Sequence, residues 1–212
     1  RSESDYRKET LDHLLNLDTD QAPDAVPDPE APTLNVKMAG FGGQGVLSLG
    51  VILARAACAG GRFVSWYPSY GPEQRGGTAN CGVVISGLPV GTPVVYEADV
   101  LVAMNRPSLE KFMADVKPGG RVFYNAAIGD FPLPAGVRAL AVPAQELAQQ
   151  GGSPKAANTA MLGVLAVLGN LGLPDEMYRQ AIARNFAGRD SVIQTNLAVY
   201  DLARDWAARA RA

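Results

Sequence analysis

The sequence feature that most limits the possible folds is a six-residue run, Gly40-Phe41-Gly42-Gly43-Gln44-Gly45. Leu34-Asn35-Val36-Lys37-Met38-Ala39 precedes it and alternates apolar and polar residues, the pattern of a strand. Val46 to Ala57 follows it, apolar almost all round and rich in small residues, the pattern of a helix packed closely on a sheet. Strand, glycine turn and helix in that order open a nucleotide-type βα unit. The first amides of a helix have no intrahelical partner, and the helix dipole adds partial positive charge at the same end. Glycines let the backbone bend sharply and let a phosphate approach without a Cβ in the way. The residues thus allow two readings: a cradle for an anionic group, or a tight turn with no ligand.

The spacing also fits G-x-G-x-x-G. The dinucleotide version of that motif expects an acidic residue at the end of the second strand, for the ribose hydroxyls. The second strand is predicted over Arg62 to Trp66 and leads into Tyr67-Pro68, with Glu73 the nearest acid, inside a different kind of segment. An NAD-binding dehydrogenase is therefore disfavoured, and a phosphate-bearing ligand is retained.

Composition narrows the chemistry. The chain has 212 residues, 47% of them hydrophobic, enough for one core. Its net charge of −2 is unevenly spread: residues 1–35 carry nine acidic and three basic side chains, so the remainder is mildly basic. That suits a phosphorylated ligand and falls short of the dense basic face of a nucleic-acid binder. Cys58 and Cys81 are too few for a metal or iron–sulfur ligand set and are expected to be small buried residues in a reducing, cytoplasmic setting. No apolar run is long enough to span a membrane and no secretory leader is expected. The one histidine, His13, lies in the acidic segment, which removes most imidazole-centred catalysis.

Taken in order, residues 1–33 read as an N-terminal arm and residues 34–212 as an α/β domain. The arm holds a short leucine-bearing helical pattern over Tyr6 to Leu17, then a Pro- and Asp-rich stretch. It is either a disordered tail or a docking arm. The run Pro68 to Cys81 is predicted to be a long loop, since two prolines and three glycines oppose regular structure. Its polar content, with Tyr70, Glu73, Gln74, Arg75 and Asn80, suits either a functional loop or one held by an internal Glu73–Arg75 pair. Strands are expected at Cys81–Ser86, Ala98–Met104, Arg121–Asn125 and Val137–Pro143, with at most an edge strand over Val90–Tyr96 and a turn at Lys117–Gly120. Helices are expected at Pro107–Val116 and over 144–150, 157–171, 175–186 and 191–210. Alternating strands and helices predict a doubly wound, mostly parallel, Rossmann-like sheet with a helical C-terminal part. The glycine run, the Pro68 loop, Asn105 and Asn125 all follow strands, so they converge on one rim. Asn158 is expected either to cap its own helix or to reach that rim.

Four stretches together resemble the γ subunit of the 2-oxoacid:ferredoxin (acceptor) oxidoreductases: Gly40–Val46, Pro68–Cys81, Lys117–Gly120 and Asn158–Leu165. The resemblance covers about residues 34–200. Gln74 departs from it, where Met is expected, and the acidic arm is not a standard part of the family. The resemblance implies a complex that oxidatively decarboxylates a 2-oxoacid to an acyl-CoA. Thiamine diphosphate, Mg²⁺ and iron–sulfur clusters would sit on partner α, β and ferredoxin-like δ-type subunits, and electrons would pass to ferredoxin or another acceptor. This subunit would position CoA and be inactive alone. Gly40, Phe41, Gly42, Gly43, Gln44 and Gly45 would then hold CoA phosphates, Gln44 by donating an amide hydrogen bond. Asn125 would seat the pantetheine or nucleotide, and Arg75 would place positive charge near the shared active site. A stand-alone NAD(P)-binding oxidoreductase and a non-catalytic assembly protein remain as alternatives.

Overall fold

The computed structural model describes residues 27–70 and 78–210. Most of the predicted arm, and Glu73, Gln74 and Arg75, lie outside the described residues. Six strands form one sheet in the order β2-β3-β1-β4-β5-β6. They are β1 Leu34–Phe41, β2 Phe63–Tyr70, β3 Thr78–Ser86, β4 Ala98–Ala103, β5 Val116–Asn125 and β6 Arg138–Val142. β1, β4, β5 and β6 are neighbours in parallel, while β3 runs antiparallel to both β1 and β2. The sheet is therefore mixed, with β3 alone reversed.

Helices α1 (Val46–Ala59), α3 (Ala144–Gln150), α4 (Ala157–Leu168), α5 (Asp175–Asn185) and α6 (Asp190–Ala210) contribute to one large core with Val36, Met38, Cys81, Val83, Val100 and Val102 of the central strands. Helix α2 (Arg106–Phe112) covers the other face, where Leu109, Phe112 and Met113 pack with Ala39, Leu101, Ala103 and Val122. The strand period of two explains the split: Val36 and Met38 face the helical layer, and Ala39 faces α2. Lys37 also belongs to the thinner face. Its Nζ lies 4.8 Å over the Phe112 ring, and burial holds its pKa below the usual lysine value despite the nearby Asp115.

Helix α1 sits close to the sheet because of Gly50. A Cβ there would fall 2.5 Å from Cys81 Sγ and 2.7 Å from Trp66 Nε1. The small residues of α1 thus serve packing distance. Helix α2 begins at Asn105, whose side chain accepts a hydrogen bond from Ser108 N–H, with Pro107 in the first turn where no amide is missed.

Two expectations need correction, the extent of β2 and the turn at Lys117–Gly120, while Val90–Tyr96 stays within its expectation of at most an edge strand. Pro68 does not end β2, which runs on to Tyr70 and pairs Pro68 with Cys81 and Ser69 with Asn80. β2 is an edge strand with a single neighbour, so a residue without N–H is tolerated there. Residues 68–70 and 78–81 of the predicted Pro68–Cys81 loop thus belong to two antiparallel strands, and 71–77 lie outside the described residues. Lys117–Gly120 lies within β5 rather than in a turn, and the β4–β5 register shifts between Ala98 and Val100. Val90–Tyr96 forms no strand.

A charged cluster fastens α5 to α6. Asp175 accepts from Arg179 Nε at 2.8 Å and from Tyr200 Oη at 2.8 Å, and pairs with Arg204 Nε at 3.0 Å; Arg179 also pairs with Asp201. Burial by itself would raise the Asp175 carboxyl, but the hydrogen bonds from Arg179 and Tyr200 and the Arg204 charge outweigh it, and its pKa is lowered. A depressed folded-state pKa contributes stability that is complete above the unfolded value of about 3.9 and is lost as pH falls through the folded value. Asp175→Asn is expected to cost about 1 kcal/mol at neutral pH, the cluster being partly exposed. Thermal melts of both proteins from pH 7 to pH 2 check this: the gap in Tm should close in acid, and a constant gap would reject the ionic account.

Candidate functional site

The chain leaves β1 through α1 towards β2 and leaves β4 through α2 towards β5. These connections depart in opposite directions from neighbouring strands. The crevice beyond the carboxyl ends of β1 and β4 is thus a topological switch point, the place where such sheets take ligands. The glycine run and Asn105 meet there.

Gly40 and Phe41 finish β1, and Gly42 to Gly45 make the turn into α1. Gly40 sits where a Cβ would meet Val46 at 2.6 Å and Gln44 Oε1 at 2.9 Å. Gly43 and Gly45 have φ of 93° and 72°, backbone that side-chain-bearing residues rarely adopt. At Gly42 and Gly43 a Cβ would meet no atom of the described residues within 4 Å, so this part of the turn is open with respect to them. Gly45 cannot cap α1, and no acidic residue occupies the helix's first turn. An anion at the turn would meet uncapped amides and no opposing carboxylate from that helix.

Behind the turn lies a closed set of carboxamides. Gln44 Oε1 accepts from Phe41 N–H at 2.7 Å and from Asn105 Nδ2 at 2.9 Å, while Gln44 Nε2 donates to Met104 O at 3.3 Å. Asn105 Oδ1 accepts from Ser108 N–H at 2.9 Å. Asn125 Nδ2 donates to the same Met104 carbonyl at 3.3 Å, and its Oδ1 accepts from Ala127 N–H. Gln44 and Asn125 therefore use their amides on the protein's own backbone, and Asn125 is buried. They shape the crevice from behind.

Phe41 pairs with Thr78, which places the start of β3 beside the glycine turn. Arg75 lies outside the described residues. From the other side comes Asn158. Its Nδ2 donates to Gly45 O at 3.2 Å, and α4 begins with Ala156 at its cap position, so Asn158 reaches the loop instead of capping its own helix. Nothing local in the sequence signals that contact, which joins residues 113 positions apart.

The two cysteines differ. Cys81 is buried, donates weakly to Val46 O at 3.7 Å, and has its thiol pKa pushed up to about 12 by burial. It packs α1 onto β3 and is unsuited to nucleophilic chemistry. Cys58 is exposed, against the expectation of burial. Among the described residues, no group of three or more His, Cys, Asp or Glu side chains could hold a metal ion, and no helix is long and apolar enough to cross a membrane.

The fold is thus a mixed α/β sheet with a glycine turn at its switch point, the place where sheets of this class take ligands. Residues 35–206 match the pyruvate ferredoxin/flavodoxin oxidoreductase family, and the chain belongs to that family. It is 54% identical over 207 residues to the ketoisovalerate oxidoreductase subunit VorA of Methanothermobacter marburgensis, an alignment that takes in 98% of this chain and 43% of that protein. Over 138 residues it is 38% identical to the 2-oxoglutarate synthase subunit KorC of Methanothermobacter thermautotrophicus, covering 61% of this chain and 73% of KorC. The fold resembles the keto/oxoacid ferredoxin oxidoreductase γ subunit of Geobacter sulfurreducens, with a TM-score of 0.72, 26% identity, and 83% and 99% of the two chains covered. It also resembles 2-oxoglutarate:ferredoxin oxidoreductase of Magnetococcus marinus, solved with 2-oxoglutarate, coenzyme A and succinyl-CoA bound. There the TM-score is 0.76, the identity 27%, and the coverage 85% of this chain and 32% of the other. The chain thus spans less than half the length of VorA.

Gln44→Ala removes an acceptor from Phe41 N–H and Asn105 and a donor from Met104 O. It is expected to destabilise the chain by about 1–3 kcal/mol, the cost of leaving buried polar groups unpaired. Denaturant titration measures this, and an unchanged midpoint would show the carboxamide set to be dispensable.

Proposed function

We propose that this chain is the CoA-handling γ unit of a thiamine diphosphate-dependent 2-oxoacid:acceptor oxidoreductase, which decarboxylates a 2-oxoacid and releases an acyl-CoA. The observation that carries the reading is the uncapped glycine turn, open with respect to the described residues at Gly42 and Gly43, at the switch point of the sheet. The CoA bound to the Magnetococcus relative supports the choice of ligand. In this reading the backbone of the turn at Gly42, Gly43 and Gly45 and the start of α1 hold CoA phosphates, most directly the pyrophosphate, while the Phe41 and Gln44 amides are spent inside the turn, on Gln44 Oε1 and Phe41 O. The small residues let phosphate oxygens come within hydrogen-bond distance of the backbone.

Gln44 and Asn125 take revised parts. Gln44 fixes the turn through Phe41 N–H and Asn105, with Nε2 donating to Met104 O. Asn125 braces the same carbonyl, and the surface they support is where the ligand rests. Their contribution to binding is preorganisation: the cradle is shaped before CoA arrives, and less ordering is lost on binding. Arg75, on the segment joining β2 to β3, extends positive charge towards the anionic substrate or cofactor on a neighbouring subunit. Thiamine diphosphate and Mg²⁺ supply the carbanion chemistry and iron–sulfur clusters the electron path, all on partner α, β and δ-type subunits, with ferredoxin or another acceptor beyond. This chain's part is to place the thiol of CoA, a positioning effect. The site is an intracellular, cytoplasmic one in this reading.

Gly43→Asp adds a carboxylate facing the bound phosphate. In the assembled complex it is expected to raise the KM for CoA by about tenfold or more, from like-charge repulsion. Steady-state kinetics at saturating 2-oxoacid measure it, and an unchanged KM in an intact complex rejects the phosphate cradle. Arg75→Ala is expected to lower kcat by about tenfold or more if its charge acts on the reacting groups. Normal assembly with unchanged kcat would leave Arg75 with no active-site part.

A further inference from the structure

We infer that Asn158 is a positioning residue for the anion-binding glycine loop, acting through the carbonyl of Gly45. The inference rests on the reading of that loop as a phosphate cradle. Gly45 O is the first acceptor of α1, bonded by Leu49 N–H at 2.9 Å. Asn158 Nδ2 donates to the same oxygen at 3.2 Å. The carbonyl that defines where α1 begins is therefore held from two directions, by its own helix and by α4. Its orientation sets the peptide plane between Gly45 and Val46, and so the aim of the Val46 amide, one of the helix-start donors that would meet an anion.

The contact is closely fitted. Asn158 is 6% exposed. A Cβ on Gly45 would stand 2.6 Å from Asn158 Nδ2 and 2.8 Å from its Cγ, so the asparagine fills the space that glycine leaves. Gly45 holds φ at 72°, a conformation that a larger residue would resist, and Asn158 packs against it on the protein side. Gln44 secures the preceding half of the turn through Phe41 N–H and Met104 O. The following half has Asn158. Gly42 and Gly43, between these anchors, remain open with respect to the described residues.

Asn158 is itself anchored. The next residue, Thr159, is buried and donates from Oγ1 to Asn196 Oδ1 of α6 at 2.6 Å, and Asn196 Nδ2 donates to Val192 O at 2.8 Å. The first turn of α4 is thus fastened to α6, and Asn158 transmits that rigidity to the loop. The C-terminal helices, which otherwise cover one face of the sheet, thereby hold the cradle in shape.

The experiment compares two thiol acceptors in the assembled complex: CoA, which carries the phosphates, and pantetheine, which carries the same thiol without them. Asn158→Ala is expected to raise the KM for CoA about 3- to 10-fold, the loss of one hydrogen bond, with kcat unchanged and the pantetheine kinetics unchanged. Equal effects on both acceptors, or an unchanged KM for CoA, would overturn the inference. Asn158→Ser, which keeps a donor on a shorter side chain, is measured beside it should alanine prevent assembly. Failure of both variants to assemble would assign Asn158 to folding and overturn the positioning role. Gly43→Asp separates the two levels. If it raises the KM for CoA and the Asn158 variants do not, the cradle stands and the positioning role falls. If Gly43→Asp has no effect, the cradle itself is wrong.

Discussion

The carbonyl of Met104 is the point on which the crevice depends. It lies just beyond β4, and the amide of the same residue donates to Ala39 O at 2.9 Å, which ties it to β1. Gln44 from the β1–α1 turn and Asn125 from the end of β5 both donate to Met104 O. The backbone of this one residue thus links three neighbouring parallel strands at their carboxyl ends. Asn105, the next residue, joins the set through Gln44 Oε1 and starts α2 through Ser108. The direction of α2, the shape of the glycine turn and the end of β5 are coupled by a few amides. Each amide, buried or half-buried, needs a partner, so the set favours one arrangement strongly over partial ones.

This coupling explains how a turn made mostly of glycine keeps a defined shape. Glycine loses more conformational freedom on folding than any other residue. Without side chains of its own to pack, the turn is held by neighbours: Gln44 on its near side and Asn158 against Gly45. The division of labour leaves the Cβ positions at Gly42 and Gly43 clear of the other described residues. A ligand-binding backbone must be exposed and rigid at once, and here exposure comes from the glycines while rigidity comes from the amides behind them.

How much of this was legible from the sequence depended on whether the deciding interaction was local. β1, β3 and β4 and the C-terminal helices follow from patterns within each segment: alternation or apolar runs for the strands, periodicity and turn residues for the helices. Pro68 reads as a breaker that shortens β2 in the sequence, and its acceptance depends on β2 lying at the sheet edge, a fact no local window contains. Lys117–Gly120 is a related case: two glycines after proline suggest a turn, and the segment is the irregular stretch of β5 where the register with β4 jumps from Val116 to Arg121. The glycine run was recognisable as a functional turn, but the direction of Gln44 was not. A carboxamide next to a phosphate-type loop invites an outward donor, and its true partners are the backbone of Phe41 and Met104 and the side chain of Asn105. Asn158 shows the same limit: a cap is a local role, while Gly45 is distant in sequence.

The family relation and the physical reading support each other at different levels. Membership covers residues 35–206, so the glycine turn, the hairpin and α4 are parts of one matched unit. The chain holds, in its described residues, one buried thiol, Cys81, and one exposed thiol, Cys58. Among its described residues no cluster of metal-ligating side chains exists, and its buried thiol is held protonated. What it does have is a backbone surface of uncapped amides at a switch point, an arrangement suited to gripping phosphate. In the function proposed above, a subunit so equipped fixes one end of a long flexible substrate. Fixing the charged end limits where the thiol at the other end can travel, and the reacting centre then needs only to receive it.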